Sequence, residues 1–193
     1  MKARIITLII AAFVGVGTLG AQNRWALKTN VLHDATASVN LALEWGFAPH
    51  WSVEASGSLN WWDLPDGLSL RHAIAQPELR YWFCDRFSGW FVNAHAIGGY
   101  APKVGGLWDF SQYYEKFPNL KNFYLQKAIM LGGGLGFGYD FIISRHWNLE
   151  LEMGLGYLFC KGDEYSDGVL ILKGSKFDYI GPTRLAVTFS YLF

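Results

Sequence analysis

Eight charged residues stand at alternate positions of segments whose remaining positions are largely apolar, so they share one face of each segment. They are Lys28, Glu44, Glu54, Glu78, Arg80, Glu150, Glu152 and Arg184. A charge inside a narrow interior is costly unless an opposite charge pairs with it, and both signs are present here. We predict that these side chains form an interior network of ion pairs that plugs the fold. A path for protons or ions is the alternative interpretation.

His95 lies on the same predicted face, where it could act as the base of a hydrolytic reaction. Covalent hydrolysis also needs a nucleophile, and residues 93–97 contain no serine, threonine or cysteine. The sequence therefore predicts no catalytic residues.

Metal and cofactor sites are not indicated either. The histidines are scattered without the spacing of metal ligands; they are His33, His50, His72, His95 and His146. Tyr165 interrupts the spacing that a calcium loop would need between Asp163, Glu164 and Asp167, and Asp167-Gly168 is better interpreted as a hairpin turn. The glycines at alternate positions from Gly132 to Gly138 do not fit the G-x-G-x-x-G nucleotide-binding pattern.

The segments that carry the charges are predicted to be β-strands. From Trp147 to Phe159, large apolar residues stand at every second position, and Asn148, two glutamates and two glycines stand between them as far as Gly156. This period of two is that of a strand, and the segment is longer than most strands of globular proteins, which run about 3 to 10 residues. A strand that crosses a bilayer at a tilt needs about 9 to 11 residues.

The same alternation recurs along the chain and predicts eight strands, an even number that can close a small membrane barrel. The strands cover about residues 25–32, 39–47, 51–61, 78–83, 90–100, 131–141, 147–159 and 184–193. The interior of an eight-stranded barrel is just wide enough for side chains, so the face that carries large rings must look outward, into lipid. We therefore predict an all-β, eight-stranded antiparallel outer-membrane barrel.

Short and long connections alternate between these strands. Residues 48–50, 84–89 and 144–146 form short turns, whereas Asp63 to His72, Ala101 to Gln126 and Lys161 to Lys176 form longer loops. Outer-membrane barrels show short periplasmic turns and longer outer loops, which predicts periplasmic termini. Pro77 and Pro182 would interrupt a ladder, so we expect both near the outer rim or at bulges.

The ends of the chain carry export signals. Lys2 and Arg4 precede the apolar run Ile5 to Phe13, and small residues follow, which predicts a signal peptide over residues 1–21 and a barrel over residues 22–193. The last strand ends on Phe193 and resembles the signal that the barrel-assembly machinery recognises. We expect this machinery, together with outer-membrane lipid and lipopolysaccharide, among the partners.

Charge and cysteine content exclude other classes. The chain has 16 basic and 16 acidic residues and no basic stripe, so nucleic acid is not an expected partner. Cys84 and Cys160 fall at opposite ends of the predicted strands, beyond the separation of roughly 7 Å that a disulfide bridges, so we predict no disulfide.

The loop from Ala101 to Gln126 is the best candidate for recognition, because long loops are usually functional and this one is too aromatic to be disordered. With Lys103, Lys116 and Lys121 it could bind sugars, phosphates or a protein. The alternative is that the rings fold back over the barrel mouth or lie among the lipid headgroups. The candidate residues are Trp108, Phe110, Tyr113, Tyr114, Phe117, Phe123 and Tyr124.

Four segments carry a family resemblance: residues 25–34 (WALKTNVLHD), 50–54 (HWSVE), 77–83 (PELRYWF) and 181–183 (GPT). They are similar to a family of small Bacteroidota outer-membrane proteins catalogued as a domain of unknown function. Members are often encoded beside fimbrial subunit genes, which implies a role at the fimbriated surface by association.

Together these features predict a non-enzymatic barrel in the outer membrane of a Gram-negative bacterium, linked to fimbrial biogenesis or envelope integrity. It would recognise a fimbrial or other surface protein, or a glycan, through its outer loops. The alternative is an outer-membrane enzyme that modifies lipid A.

Overall fold

The computed structural model describes residues 23–63, 69–105, 123–166 and 168–193. These residues form eight strands and one short helix: β1 (Trp25–Asn30), α1 (Val31–Ala35), β2 (Val39–Ala48), β3 (Trp51–Asn60), β4 (Ser69–Trp82), β5 (Gly89–Gly105), β6 (Phe123–Ile142), β7 (Trp147–Ser166) and β8 (Val169–Leu192). Each strand pairs antiparallel with its neighbours in sequence, and β1 also pairs with β8, which closes the barrel. The prediction of an all-β fold with eight antiparallel strands in one ring is confirmed. No helix within the described ranges is long and apolar enough to cross a membrane.

The two faces of the barrel wall differ as the alternation requires. Leu135 on β6 is 71% exposed on the outside, and Leu155 on β7 is 56% exposed. On the inner face of the same wall, Glu150 and Arg80 are fully buried. The apolar face is therefore the outer one, and the interior is polar.

Glycines on β6 let neighbouring backbone and side-chain atoms lie directly against the barrel wall. A Cβ added to Gly134 would lie 2.2 Å from the Leu155 carbonyl oxygen, and one added to Gly138 would lie 2.3 Å from Cζ of Phe91. Only a residue without a side chain fits at either position. The space beside Gly138 is instead filled by the buried Phe91 ring.

Aromatic side chains close the end of the barrel that holds the chain termini. Trp82 packs against Phe91 and against Phe87, with ring centroids 4.7 and 5.9 Å apart. Phe87 belongs to the turn after β4 and has a positive φ of 62°. The Trp82 indole N–H donates to the Ser52 hydroxyl at 2.8 Å, so this large ring has no unpaired donor.

Strand β1 is shorter than its neighbours because Asn30 ends it. The Asn30 side chain donates to the Leu185 carbonyl and accepts from the amides of Val187 and Leu32, each at 3.1–3.2 Å. The Asn30 side chain thereby takes the place of a strand partner for the backbone of β8 and caps the start of α1. The sequence prediction that this strand continues through Leu32 is wrong, because the side chain of Asn30 competes with the backbone for its partners.

On the other side of β1, Asn40 of β2 plays the corresponding part. Its side-chain carbonyl accepts from the Asn30 amide at 2.6 Å, and its amide group donates to the Asn30 carbonyl at 3.1 Å. Beyond Asn30, toward the end opposite the termini, β8 continues without β1 as a neighbour. There α1 contacts both β8 and β2.

The predicted loops are shorter than expected because the strands continue into them. Strand β4 begins at Ser69, β5 extends to Gly105 and β6 starts at Phe123. Residues 161–176 are almost entirely strand, with Lys161 opposite Lys176 and Ser166 opposite Val169. The apolar alternation of β7 ends near Phe159, but the hydrogen-bond ladder with β8 continues. The turn predicted at Gly168 is confirmed, with a φ of 81°.

The two prolines behave differently. Pro182 lies at a register shift between β7 and β8, as predicted, since Gly154 pairs with Arg184 and Leu155 with Pro182. Pro77 pairs with Ala55 in an uninterrupted register, and the prediction that it lies at the rim or at a bulge is wrong. Its ring points outward, and the loss of one N–H is tolerated without a shift. Cys84 and Cys160 are both free thiols.

Replacing Asn30 with Ala is expected to destabilise the barrel by about 1–2 kcal/mol, because backbone groups of β8 and α1 lose their partners. The measurement is the midpoint of urea unfolding in detergent. Asn30→Asp, which keeps the acceptor and loses the donor, is expected to fall between the two proteins. An unchanged midpoint for Asn30→Ala would show that water satisfies the seam equally well.

Candidate functional site: a buried ion-pair network

Lys28 of β1 reaches three carboxylates on three different strands. Its Nζ contacts Glu44 of β2, lies 3.1 Å from Glu54 of β3 and lies 2.7 Å from Glu150 of β7. All four side chains are at most 1% exposed. Lys28 therefore links strands on both sides of the seam, which is the β1–β8 pair that closes the barrel.

Arg80 of β4 lies at the centre of the network. The Nη1 atom pairs with Glu150 at 2.8 Å and with Glu44 at 3.2 Å. The other arm, Nη2, pairs with Glu54 and Glu152 at 3.0 Å each, and Nε pairs with Glu78 at 3.1 Å. The planar fork of an arginine presents five donors in fixed directions, so it can pair with several carboxylates at set positions. A lysine ammonium has only three donors, all on one atom.

The face of the Arg80 guanidinium is also occupied. Its Cζ lies 4.7 Å from the centroid of the Phe91 ring. A cation over an aromatic face gains electrostatic energy that grows when water is excluded. The same Phe91 ring that fills the space beside Gly138 thus supports the central cation.

Arg184 of β8 completes the network on the side away from the chain termini. Its Nη2 lies 2.8 Å from Glu54, and its Nε lies 2.7 Å from Glu78 and 3.2 Å from Glu152. Nη1 donates to Ser56 and Gln76. The structure therefore brings together all eight charged residues that the sequence placed in the lumen, from six of the eight strands.

The register explains why the cations are needed where they stand. Glu44 pairs directly with Glu54 across β2 and β3, and Glu54 pairs directly with Glu78 across β3 and β4. Like charges in directly opposed positions repel each other. Arg80 contacts all three of these glutamates, which converts a repulsive row into an attractive cluster. Sequence alternation identified the face of each glutamate but not this row.

His95 has a hydroxyl partner that the sequence around it lacks. Its Nε2 lies 2.8 Å from Oγ1 of Thr183, and its Nδ1 lies 3.1 Å from Oδ1 of Asn93. The Asn93 amide group donates to Glu152 at 2.8 Å, which fixes its oxygen toward His95. The order hydroxyl, imidazole and orienting amide is that of a nucleophilic triad. No local pattern could have revealed Thr183, because a bulge in β8 brings it inward.

The surroundings of His95 favour a structural role for this arrangement. His95 is 5% exposed and Asn93 is 4% exposed. A Cβ added to Gly154 would lie 2.7 Å from Cε1 of His95, so the imidazole ring already fills the space over that glycine. The hydrogen bonds hold the β8 bulge against the network.

A second hydroxyl, that of Ser58, joins two histidines at the end of the barrel opposite the termini. Ser58 Oγ lies 2.6 Å from Nδ1 of His33 and 2.9 Å from Nε2 of His72. Nδ1 of His72 lies 2.7 Å from the Leu70 carbonyl, which can only accept. With neutral rings, Ser58 therefore donates to His72 and His33 donates to Ser58. This chain of bonds holds α1 inside the mouth.

The remaining sequence candidates are only partly described. Tyr124 of β6 packs against Lys103 of β5, whose Nζ lies 4.2 Å from the ring centroid. Phe123 begins β6. Trp108, Phe110, Tyr113, Tyr114 and Phe117 lie outside the described residues, as does Asp167. Among the described residues, no group of three or more His, Cys, Asp or Glu side chains is arranged to hold a metal ion.

Arg80→Met is expected to destabilise the barrel by about 3–5 kcal/mol, since removing one partner leaves buried carboxylates uncompensated. Unfolding in urea measures this change. The control is Arg71→Gln, which breaks an exposed ion pair to Asp63 and should have little effect. Equal stability of the Arg80→Met variant and the wild-type protein would mean that the network does not stabilise the barrel.

The sequence match to a known family covers almost the whole chain. No curated protein matches the sequence. One family model, described as "Protein of unknown function (DUF3575)", matches residues 5–193. The match extends over every strand and all eight network residues. The chain therefore belongs to this family of uncharacterised proteins.

Proposed function

We propose that this protein is an outer-membrane barrel of a Gram-negative bacterium, with a plugged lumen and a non-enzymatic role at the cell surface. The observation that carries the proposal is the inverted distribution of polarity. Large apolar side chains are exposed around the barrel while its charged side chains are buried. A water-soluble protein would gain free energy from the opposite arrangement.

Two belts of outward-facing aromatic residues support a bilayer as the surrounding solvent. Trp51 and Trp61 stand ten positions apart, and the same separation relates Trp90 to Tyr100 and Trp147 to Tyr157. All six side chains are exposed. Ten residues of a strand tilted by about 40° rise roughly 25 Å, the height of the apolar band of outer-membrane barrels.

The two ends of the barrel suggest its orientation. The described termini and the turns 49–50, 83–88 and 143–146 share one end. Short turns are typical of the periplasmic end, so the opposite end would face outward. Residues 1–21 would be removed on export, and the strand ending at Phe193 would be the part that the assembly machinery recognises.

Leu135→Arg tests the membrane assignment, because this residue lies midway between the belts. In a bilayer the substitution is expected to cost about 2–4 kcal/mol and to slow folding into lipid vesicles. The control is Val169→Arg, which is also an exposed apolar position but lies at the hairpin turn above the belts. Folding would be followed by the shift in gel mobility between folded and heated protein. Equal effects of the two variants, or monodisperse wild-type protein in detergent-free buffer, would contradict the proposal.

The surface role is proposed for the connection between β5 and β6. Both strands extend beyond the outer belt, to Gly105 and from Phe123 respectively. This connection carries five of the seven aromatic candidates. A fimbrial subunit or another surface protein is the proposed partner, in line with the family resemblance.

Replacing residues 106–122 with a Gly-Ser linker of equal length is expected to abolish crosslinks between the barrel and its surface partner in whole cells. The same replacement of residues 64–68, at the connection between β3 and β4, is the control and should preserve them. Crosslinked products would be identified by mass spectrometry. Equal recovery with both variants would contradict recognition through the loop, and an altered lipid A acyl pattern in a deletion strain would favour the enzymatic alternative.

A further inference from the structure

The part of the lumen that holds the ion-pair network and Asp140 has more negative than positive charge. Lys28, Arg80 and Arg184 face the five glutamates of the network, and Asp140 of β6 adds a sixth carboxylate that is 2% exposed. The excess is three negative charges if every group is ionised. Burying uncompensated charge in a low-dielectric interior is prohibitively costly, so something must neutralise part of it.

The uncompensated negative charge lies at Asp140 and its neighbours. Asp140 forms none of the ion pairs among the described residues, and it stands directly opposite Glu150 on the neighbouring strand. Asn148 stands directly opposite Ser190 and two positions before Glu150 on β7. The four residues form one contiguous patch on the inner wall of β6, β7 and β8, and each is at most 2% exposed.

Each of these four side chains has a buried oxygen without a hydrogen-bond partner among the described residues. The atoms are Oδ1 of Asp140, Oε1 of Glu150, Oδ1 of Asn148 and Oγ of Ser190. The Asn148 amide group donates to Oδ2 of Asp140 and to the Phe87 carbonyl, so its oxygen cannot be exchanged with its nitrogen. Lys28 occupies Oε2 of Glu150 and leaves Oε1 free.

We propose that this patch binds a cation, and that the cation is Ca²⁺. Two carboxylate oxygens, an amide oxygen and a hydroxyl oxygen are the hard ligands that Ca²⁺ takes in flexible geometry. A divalent cation would reduce the excess from three charges to one. A proton shared between Asp140 and Glu150 would satisfy only two of the four oxygens and would leave Asn148 and Ser190 unpaired.

The patch also adjoins a cavity. Asn148 lines an open cavity of about 550 Å³ at the end of the barrel that holds the termini, together with Asp85, Phe87 and Leu192. Two arginines also line it, and one of them, Arg86, donates to the carbonyls of Asn23 and Ala48. The cavity therefore reaches the patch at Asn148.

The test is a calcium titration of the folded, chelator-washed barrel in detergent, by calorimetry and by thermal unfolding. We expect saturable heat and a rise in unfolding temperature with CaCl₂ alone. Asp140→Asn should abolish both, and it should still fold because it removes an unpaired charge. Ser190→Ala should raise the half-saturating concentration about tenfold through the loss of one neutral ligand. Asp178→Asn, an exposed carboxylate twelve positions before Ser190 on β8, is the control and should titrate as the wild type does.

Two results would overturn the proposal. Absence of calcium-dependent heat and of any shift in unfolding temperature would show that no such site exists. Identical titrations of the wild type and Asp140→Asn would place the cation elsewhere. If calcium has no effect but Asp140→Asn removes the infrared band of a protonated carboxyl group, a shared proton is the compensating species.

Discussion

The interior of an eight-stranded barrel leaves little room for water around a buried charge, so a charge there must find its partners among neighbouring side chains or a bound ion. This constraint organises the rest of the structure. It places Arg80 where one guanidinium can reach Glu44, Glu54 and Glu78, whose carboxylates would otherwise repel one another along three adjacent strands. It also requires glycine where the wall must approach the network, as at Gly138 beside Phe91 and at Gly154 beneath His95.

Much of this organisation could be predicted from period two alone. The alternation from Trp147 to Phe159 identifies both faces of β7, and the same rule places all eight charged residues inside. Barrel size then decides which face is outside, since rings such as Trp51 and Trp90 cannot share a lumen that eight strands enclose. These inferences succeed because side-chain direction in a strand is fixed by backbone geometry and needs no knowledge of distant contacts.

The features that escaped prediction all depend on contacts between residues far apart in sequence. Thr183 reaches His95 only because β8 bulges opposite Gly154, and register shifts of this kind leave no local pattern. The end of β1 depends on Asn30, whose side chain replaces the ladder toward Leu185 while starting α1. The extension of β7 and β8 past Lys161 depends on continued pairing between these two strands, although the apolar alternation of β7 has ended there.

The plug and the closure of the barrel depend on the same ion pairs. Strand β1 is the shortest of the described strands, and its pairing with β2 and β8 covers only the half of the barrel nearer the termini. Lys28 on this strand pairs with Glu44 on one side of the seam and with Glu150 of β7 on the other side. Opening the lumen would separate these partners and would therefore loosen the seam itself. An interior that must stay paired for the wall to stay closed therefore supports the proposed plugged lumen over a path for ions.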